Sequence, residues 1–167
     1  MNLVLEGPKG SGKSTISDHF VELGYEYFHS DNNTPNDLQY HLELLRDQDN
    51  RVIDRFSVGE MIYPSIYGRP GKMNMFEFFA SMNMPNTIYV ILYAENEEIL
   101  YNRIKDRNDK KDIDISFNNV HLSNLYFKQT KEIFNRDNIL VIDISEKNSK
   151  EIIEEIKECA KNLNFTI

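Results

Sequence analysis

Short apolar runs alternate with amphipathic stretches along the whole chain. Runs suited to buried β-strands occupy residues 2–5, 25–28, 51–54, 87–93 and 139–142. Between them, apolar residues recur at helical spacing: Leu38, His41, Leu42 and Leu45; Ile99, Leu100 and Ile104; Leu122, Leu125, Tyr126 and Ile133; Ile152, Ile153, Ile156, Ala160 and Leu163. This alternation predicts an α/β fold with a mostly parallel sheet and helices on both faces. Parallel strands need crossover connections, and both faces of such a sheet have to be covered. Ligands then belong at the carboxyl ends of the strands. No period of 20–50 residues repeats and no low-complexity linker intervenes, so residues 1–167 read as one domain. The interval 105–112, all polar and charged, reads as a mobile loop.

The first strand runs directly into Gly7, Pro8, Lys9, Gly10, Ser11, Gly12, Lys13, Ser14 and Thr15, a full G-x-x-x-x-G-K-[ST] match between a strand and a helix. Glycines allow successive N–H groups to turn inward around an anion, and the following helix adds the positive end of its dipole. In this motif Lys13 reaches the β- and γ-phosphates, Ser14 offers its hydroxyl to Mg²⁺, and Thr15 touches the α-phosphate. The pattern predicts a nucleoside triphosphate site with ATP and Mg²⁺ as the cofactors.

Composition narrows the partners. The 167 residues carry 19 Lys plus Arg against 27 Asp plus Glu, a formal net charge of -8. Such a chain repels nucleic acid in general, so a polyanion has to be met by a local basic pocket. Cys159, the single cysteine, cannot form an internal disulfide, and no Cys/His cluster has zinc-ligand spacing. No apolar stretch approaches the roughly 18 residues needed to cross a bilayer, and residues 1–7 lack the pattern of a signal peptide. A cytoplasmic protein is the expectation.

The remaining motifs select among chemistries that share this loop. Neither an N-K-x-D guanine reader nor a D-x-x-G switch occurs, which argues against a GTPase. Two strand tips offer a carboxylate, Asp54 and Asp143. Asp54 is followed by Arg55, a cation suited to grasping a second anionic substrate beside the metal-side carboxylate. Asp143 reads instead as a solvated strand-end or turn residue. The string Asp54-Arg55-Phe56, with Tyr63 nine positions after the Asp, resembles the D-R-[YFH] and downstream A-Y-Q region of thymidylate kinases and related deoxynucleoside kinases. Met84-Pro85-Asn86-Thr87 through Leu100, Arg103, Ile104 and Arg107 is similar to their P-D-x-x-x-x-L strand, helix and R-x-x-x-R entry to the lid.

The resemblance covers most of residues 3–135 and implies a three-layer P-loop NTPase fold, with a five-stranded parallel sheet and a lid at about 103–117. It implies ATP-dependent transfer of a phosphoryl group to a small-molecule (deoxy)nucleoside monophosphate. Lys13, Asp54, Arg55, Arg103 and Arg107 are then the catalytic set, and Asp54, Arg55, Phe56, Tyr63 and Arg69 line the acceptor. Ser14 and Asp54 hold the metal. Family members often pair, so a homodimer is the implied oligomer. The loop carries Lys9 where thymidylate kinases often place an acid, Pro64 stands where the family's Gln follows Tyr, and the chain is shorter than cellular members, a trait of a pared-down, virus-encoded form. These departures bear on base preference more than on reaction type.

Several residues have plainer readings. Residues 59–69 read as an aromatic, turn-rich stretch ending in Arg69; Met73, Met75, Phe76, Phe79 and Met82 as a helix wall facing the core; residues 29–32 as a hydrogen-bonded turn. His19, His41 and His121 read as packing or surface residues without a partner constellation, and Cys159 as core. Two alternatives stay open: a nucleoside or nucleic-acid 5′-hydroxyl kinase, which would need Asp54 as a base, and a nucleotide-binding ATPase that transfers nothing.

Overall fold

The computed structural model describes residues 1–31, 34–35, 38–46, 49–71, 73–106 and 117–167. Its five strands are β1 (Asn2–Glu6), β2 (Glu26–His29), β3 (Arg51–Asp54), β4 (Thr87–Tyr93) and β5 (Ile139–Asp143). All pairings are parallel, in the order β2-β3-β1-β4-β5. Each strand falls within one residue of the run that predicts it. β1 and β4 are buried along their whole length, as strands covered on both faces require.

Alternation along β1 divides the core in two. Leu3 and Leu5 join Val52, Val90 and Leu92 on one face, beneath α1 (Lys13–Glu22), α5 (Glu98–Asp106) and α7 (Ser149–Asn162), which contribute Ile16, Phe20, Leu100, Ile104, Ile152 and Ile156. Val4 joins Ile53, Tyr89 and Ile91 on the other, beneath α2 (Leu38–Arg46), α3 (Ser57–Tyr67), α4 (Met75–Ser81) and α6 (Phe117–Ile133), which contribute Leu45, Ile62, Phe78 and Phe127. The strand order places β1 between β3 and β4, so the loop that leaves β1 opens into the crevice where the strand order reverses.

Three local expectations are corrected. Residues 59–69 are mostly helix rather than turns: α3 runs to Tyr67 with Pro64 inside it, and Gly68, at φ 61°, ends it. The left-handed residue lets Arg69 N–H bond back to Pro64 O at 3.1 Å, closing the helix end. In α4 the inward residues are Phe78 and Ser81; Met75, Phe76 and Phe79 point to solvent, Phe76 at 89% exposure, while the flanking Met73 and Met82 are buried as expected.

The third correction is in α6. The expected face of Leu122, Leu125, Tyr126 and Ile133 turns outward, with Leu125, Tyr126 and Ile133 exposed and Leu122 only half-buried. Val120, Ser123, Asn124, Phe127 and Thr130 are buried instead. Asn124 fixes this rotation: its Oδ1 accepts Ala94 N–H at 2.8 Å and its Nδ2 donates to Ala94 O at 2.7 Å. The Ser123 and Thr130 hydroxyls donate to Val120 O and Phe127 O within the helix. Pairing every buried polar atom makes a polar inner face tolerable.

Candidate functional site

The loop at residues 7–15 is shaped by its glycines. Gly10, at φ 84°, lies so close to α5 that a Cβ there would sit 2.6 Å from Leu100 O. Gly12, at φ 90°, is the left-handed residue from which α1 starts. α1 has no acidic residue in its first turn, so nothing competes with an anion for its free N–H groups. Lys13 is 7% exposed, and its ammonium donates to Gly7 O at 2.8 Å and Pro8 O at 3.0 Å, with Ser11 Oγ at 3.4 Å.

Beside this cradle the chain leaves β3 through an unusual elbow. Arg55 adopts φ 72° while its N–H donates to Leu5 O at 2.9 Å. A side chain in the left-handed region costs about 1–2 kcal/mol. Glu6 offsets that cost. Its Oε1 accepts from Phe56 N at 2.9 Å, Val58 N at 2.8 Å and Gly59 N at 3.2 Å, which caps α3 from the neighbouring strand. Glu6 is 1% exposed, and burial raises its carboxyl to about 7 against the pull of those N–H groups and of Lys13. Gly59 makes the approach possible, since a Cβ there would meet Glu6 Oε2 at 3.3 Å. The sequence reading missed Glu6; its signal was a single acid directly after the apolar run Leu3, Val4 and Leu5.

Asp54 projects toward the α1 face, like Val52 two residues earlier. Its Oδ2 accepts from Tyr27 Oη at 3.3 Å and lies 3.4 Å from His29 Nδ1. Burial, helped by the charge and hydrogen bond of Asp54, pushes the Tyr27 phenol up to about 12. Asp54 Oδ1 is buried and has no hydrogen-bond partner among the described residues.

Past the elbow opens a cavity of about 350 Å³. Four stretches line it: Lys9 from the loop; Ser30 and Asp31 after β2; Arg55, Phe56, Gly59, Glu60, Tyr63, Tyr67 and Arg69; and Asn119, Val120 and Ser123 from α6. Tyr63 stacks on Tyr67 at 6.0 Å and meets Phe127 edge-on. Its hydroxyl donates to Gly7 O at 3.4 Å, and burial pushes the phenol well above its ordinary range. Arg69 Nη2 lies 3.6 Å from Glu60 Oε1. Residues 29–32 do include the expected turn as far as they are described: Asp31 and Thr34 exchange hydrogen bonds at 2.9 and 3.0 Å, while Asn32 lies outside the described residues.

The structure thus gathers Lys9, Arg55, Phe56, Tyr63 and Arg69 around one cavity, with Lys13 in the adjoining loop and Asp54 beneath. Arg103 is half-buried on α5, the helix against which Gly10 packs. Arg107, with most of the lid at 103–117, lies outside the described residues. Asp143 is the last residue of β5, at the expected strand end. Burial raises its carboxyl, but hydrogen bonds from Glu95 N, Ser145 Oγ and Ser145 N outweigh that and hold it below its usual range. His121 does have a partner, Glu97 Oε2 at 2.6 Å from Nδ1, and His41 is core, packed edge-on to Phe56 at 4.9 Å. Cys159 is buried as expected. Among the described residues no helix is long and apolar enough to cross a membrane.

No family model matches this sequence, and no curated protein matches it at a significant level. Solved structures do. The YorR protein of Bacillus subtilis, in complex with phosphorylated GDP, superposes with a TM-score of 0.79 at 18% identity, covering 98% of each chain. The deoxyadenosine kinase of M. mycoides with bound dATP gives 0.66 at 20% identity, over 98% of this chain and 100% of that one. The thymidylate kinase of Candida albicans gives 0.59 at 14% identity, over 98% and 92%. The fold is that of the P-loop nucleotide kinases.

Proposed function

We propose that the protein is an ATP-dependent nucleotide kinase that passes a phosphoryl group to a (deoxy)nucleoside monophosphate. The observation that carries this is the cavity itself. An open pocket of about 350 Å³ with Arg55 and Lys9 on its wall adjoins the phosphate loop, so a second anion can lie end-on to a triphosphate. Transfer of this kind asks the protein for alignment and charge neutralisation more than for covalent chemistry. Lys13 and the loop N–H groups hold the donor. Arg55 and Lys9 hold the acceptor phosphate, and Tyr63 with Tyr67 offers an aromatic surface for its base. The structural neighbours bind or act on nucleotides, which supports the same reading.

The residues present fit Mg²⁺. Asp54 Oδ1 is a buried carboxylate oxygen without a described partner, and Ser14 stands at the start of α1, where the motif expects a metal-bound hydroxyl. When bound, the ion would supply charge neutralisation on the phosphates. Tyr27 and His29 keep Asp54 pointed by its other oxygen.

A 5′-hydroxyl acceptor is a second reading, and Glu6 favours it, because a carboxyl raised to about 7 is in the range of a general base. Against it, Glu6 is sealed at 1% exposure with three backbone N–H groups on one oxygen, and Asp54 has one oxygen engaged. A monophosphate acceptor needs no base. Coupled ADP release measured across monophosphates, nucleosides and oligonucleotides decides between the two. Arg55→Ala is expected to lower transfer by about 10²-fold while ATP binding stays unchanged. Turnover indifferent to every acceptor and to Arg55→Ala would instead mark an ATPase that transfers nothing.

A further inference from the structure

The acceptor cavity has two chemically different ends. Near the phosphate loop its wall is cationic, with Lys9 and Arg55. Farther along α3 it presents a matched pair, Glu60 and Arg69, whose closest atoms are 3.6 Å apart, an ion pair outside hydrogen-bond distance. Glu60 Oε2 is buried without a hydrogen-bond partner among the described residues. An arginine already balanced by a carboxylate is a poor place for a dianionic phosphate, which Glu60 would repel. It is a good place for a neutral ring that presents donors and acceptors side by side. Pro64 and Gly68 fix the turn that brings Arg69 back beside Glu60, so the pair is held by backbone geometry.

Resting on the kinase reading above, we propose that Glu60 and Arg69 read the acceptor's base and select guanine. Guanine presents two adjacent donors, N1–H and N2–H, that one carboxylate can accept together, and its O6 and N7 acceptors suit an arginine. Thymine offers a single N3–H flanked by two carbonyls, which would face the carboxylate oxygens. Adenine has no donor at N1. Tyr67, exposed at the cavity and stacked on Tyr63, supplies the flat contact.

The test is a panel of acceptors on the unmodified protein: dGMP, dIMP, dAMP, dCMP and dTMP, read by kcat/KM and by calorimetric binding without ATP. The expected order puts dGMP first, at least about tenfold above dTMP, with dIMP about tenfold below dGMP because it lacks the 2-amino donor. Glu60→Gln, which places an N–H against guanine N1–H, is expected to lower dGMP use by about tenfold or more and to raise dAMP relative to it. A preference for dTMP or dCMP, equal use of dGMP and dIMP, or an unchanged order in Glu60→Gln overturns the guanine assignment and leaves the kinase reading standing. Failure of every monophosphate to bind or react overturns both.

Discussion

The glycine loop at residues 7–15 and the cavity proposed for the acceptor lie side by side above the middle of the sheet, and they are built in opposite ways. The loop is nine consecutive residues, and its binding groups are largely backbone N–H vectors set by left-handed glycines and the start of α1. The cavity draws side chains from four separated stretches, and its shape depends on a strained Arg55, a proline-containing helix and the rotation of α6. A backbone cradle recognises what all triphosphates share. A wall of side chains can discriminate among acceptors, and it changes whenever one of its supporting contacts changes.

The sharpest way to break the contrast is at Lys13. Lys13→Ala is expected to lower transfer by about 10²–10³-fold, the usual scale for removing one donor aimed at a developing charge. Acceptor binding, followed by calorimetry, should stay where it was, because Lys13 lies outside the cavity wall. Loss of acceptor binding in that variant would mean that the two sites are one.

Glu6 joins the two halves, and its expected effect is next in size. Its carboxyl stands near 7 in the folded protein against 4.5 for an ordinary glutamate. The folded state therefore holds a proton that the unfolded chain has released, and stability falls as pH rises from 4.5 to 7, by on the order of 3 kcal/mol. Below 4.5 both states are protonated and above 7 both are ionised, so the slope is confined to that window. Glu6→Gln should flatten it, as read from urea midpoints at about pH 5 and pH 7.5. An equal slope in the variant would assign the pH dependence elsewhere.

The same contrast explains what could be read in advance. β3 and β4 are bounded in the sequence because parallel strands buried on both faces are continuous apolar runs, and the loop is legible because its function is carried by contiguous small residues. α6 and α4 were misread for a shared reason: the apolar-inward rule ranks side chains by hydrophobicity, while Asn124 gains two buried hydrogen bonds to Ala94 that outweigh the apolar alternatives. Phe78 and Phe76 differ by half a helical turn and not at all in chemistry, so only tertiary packing distinguishes them, Phe78 joining the core beside Phe134. Glu6 escaped because its partners are backbone groups about fifty residues away.

Asn124 gives the smallest effect and the finest separation of the two sites. It neighbours Ser123, which lines the cavity, and clamps α6 to the carboxyl end of β4. Asn124→Ala strips both hydrogen bonds and leaves the buried Ala94 N–H and C=O unpaired, at a cost of about 1–3 kcal/mol in chemical denaturation. Because the clamp holds the acceptor wall and not the phosphate loop, the variant's remaining folded protein should show a raised acceptor KM and an unchanged KM for ATP. If both constants rise together, α6 supports the whole crevice, and the division of the site into a backbone cradle and a side-chain wall has to be given up.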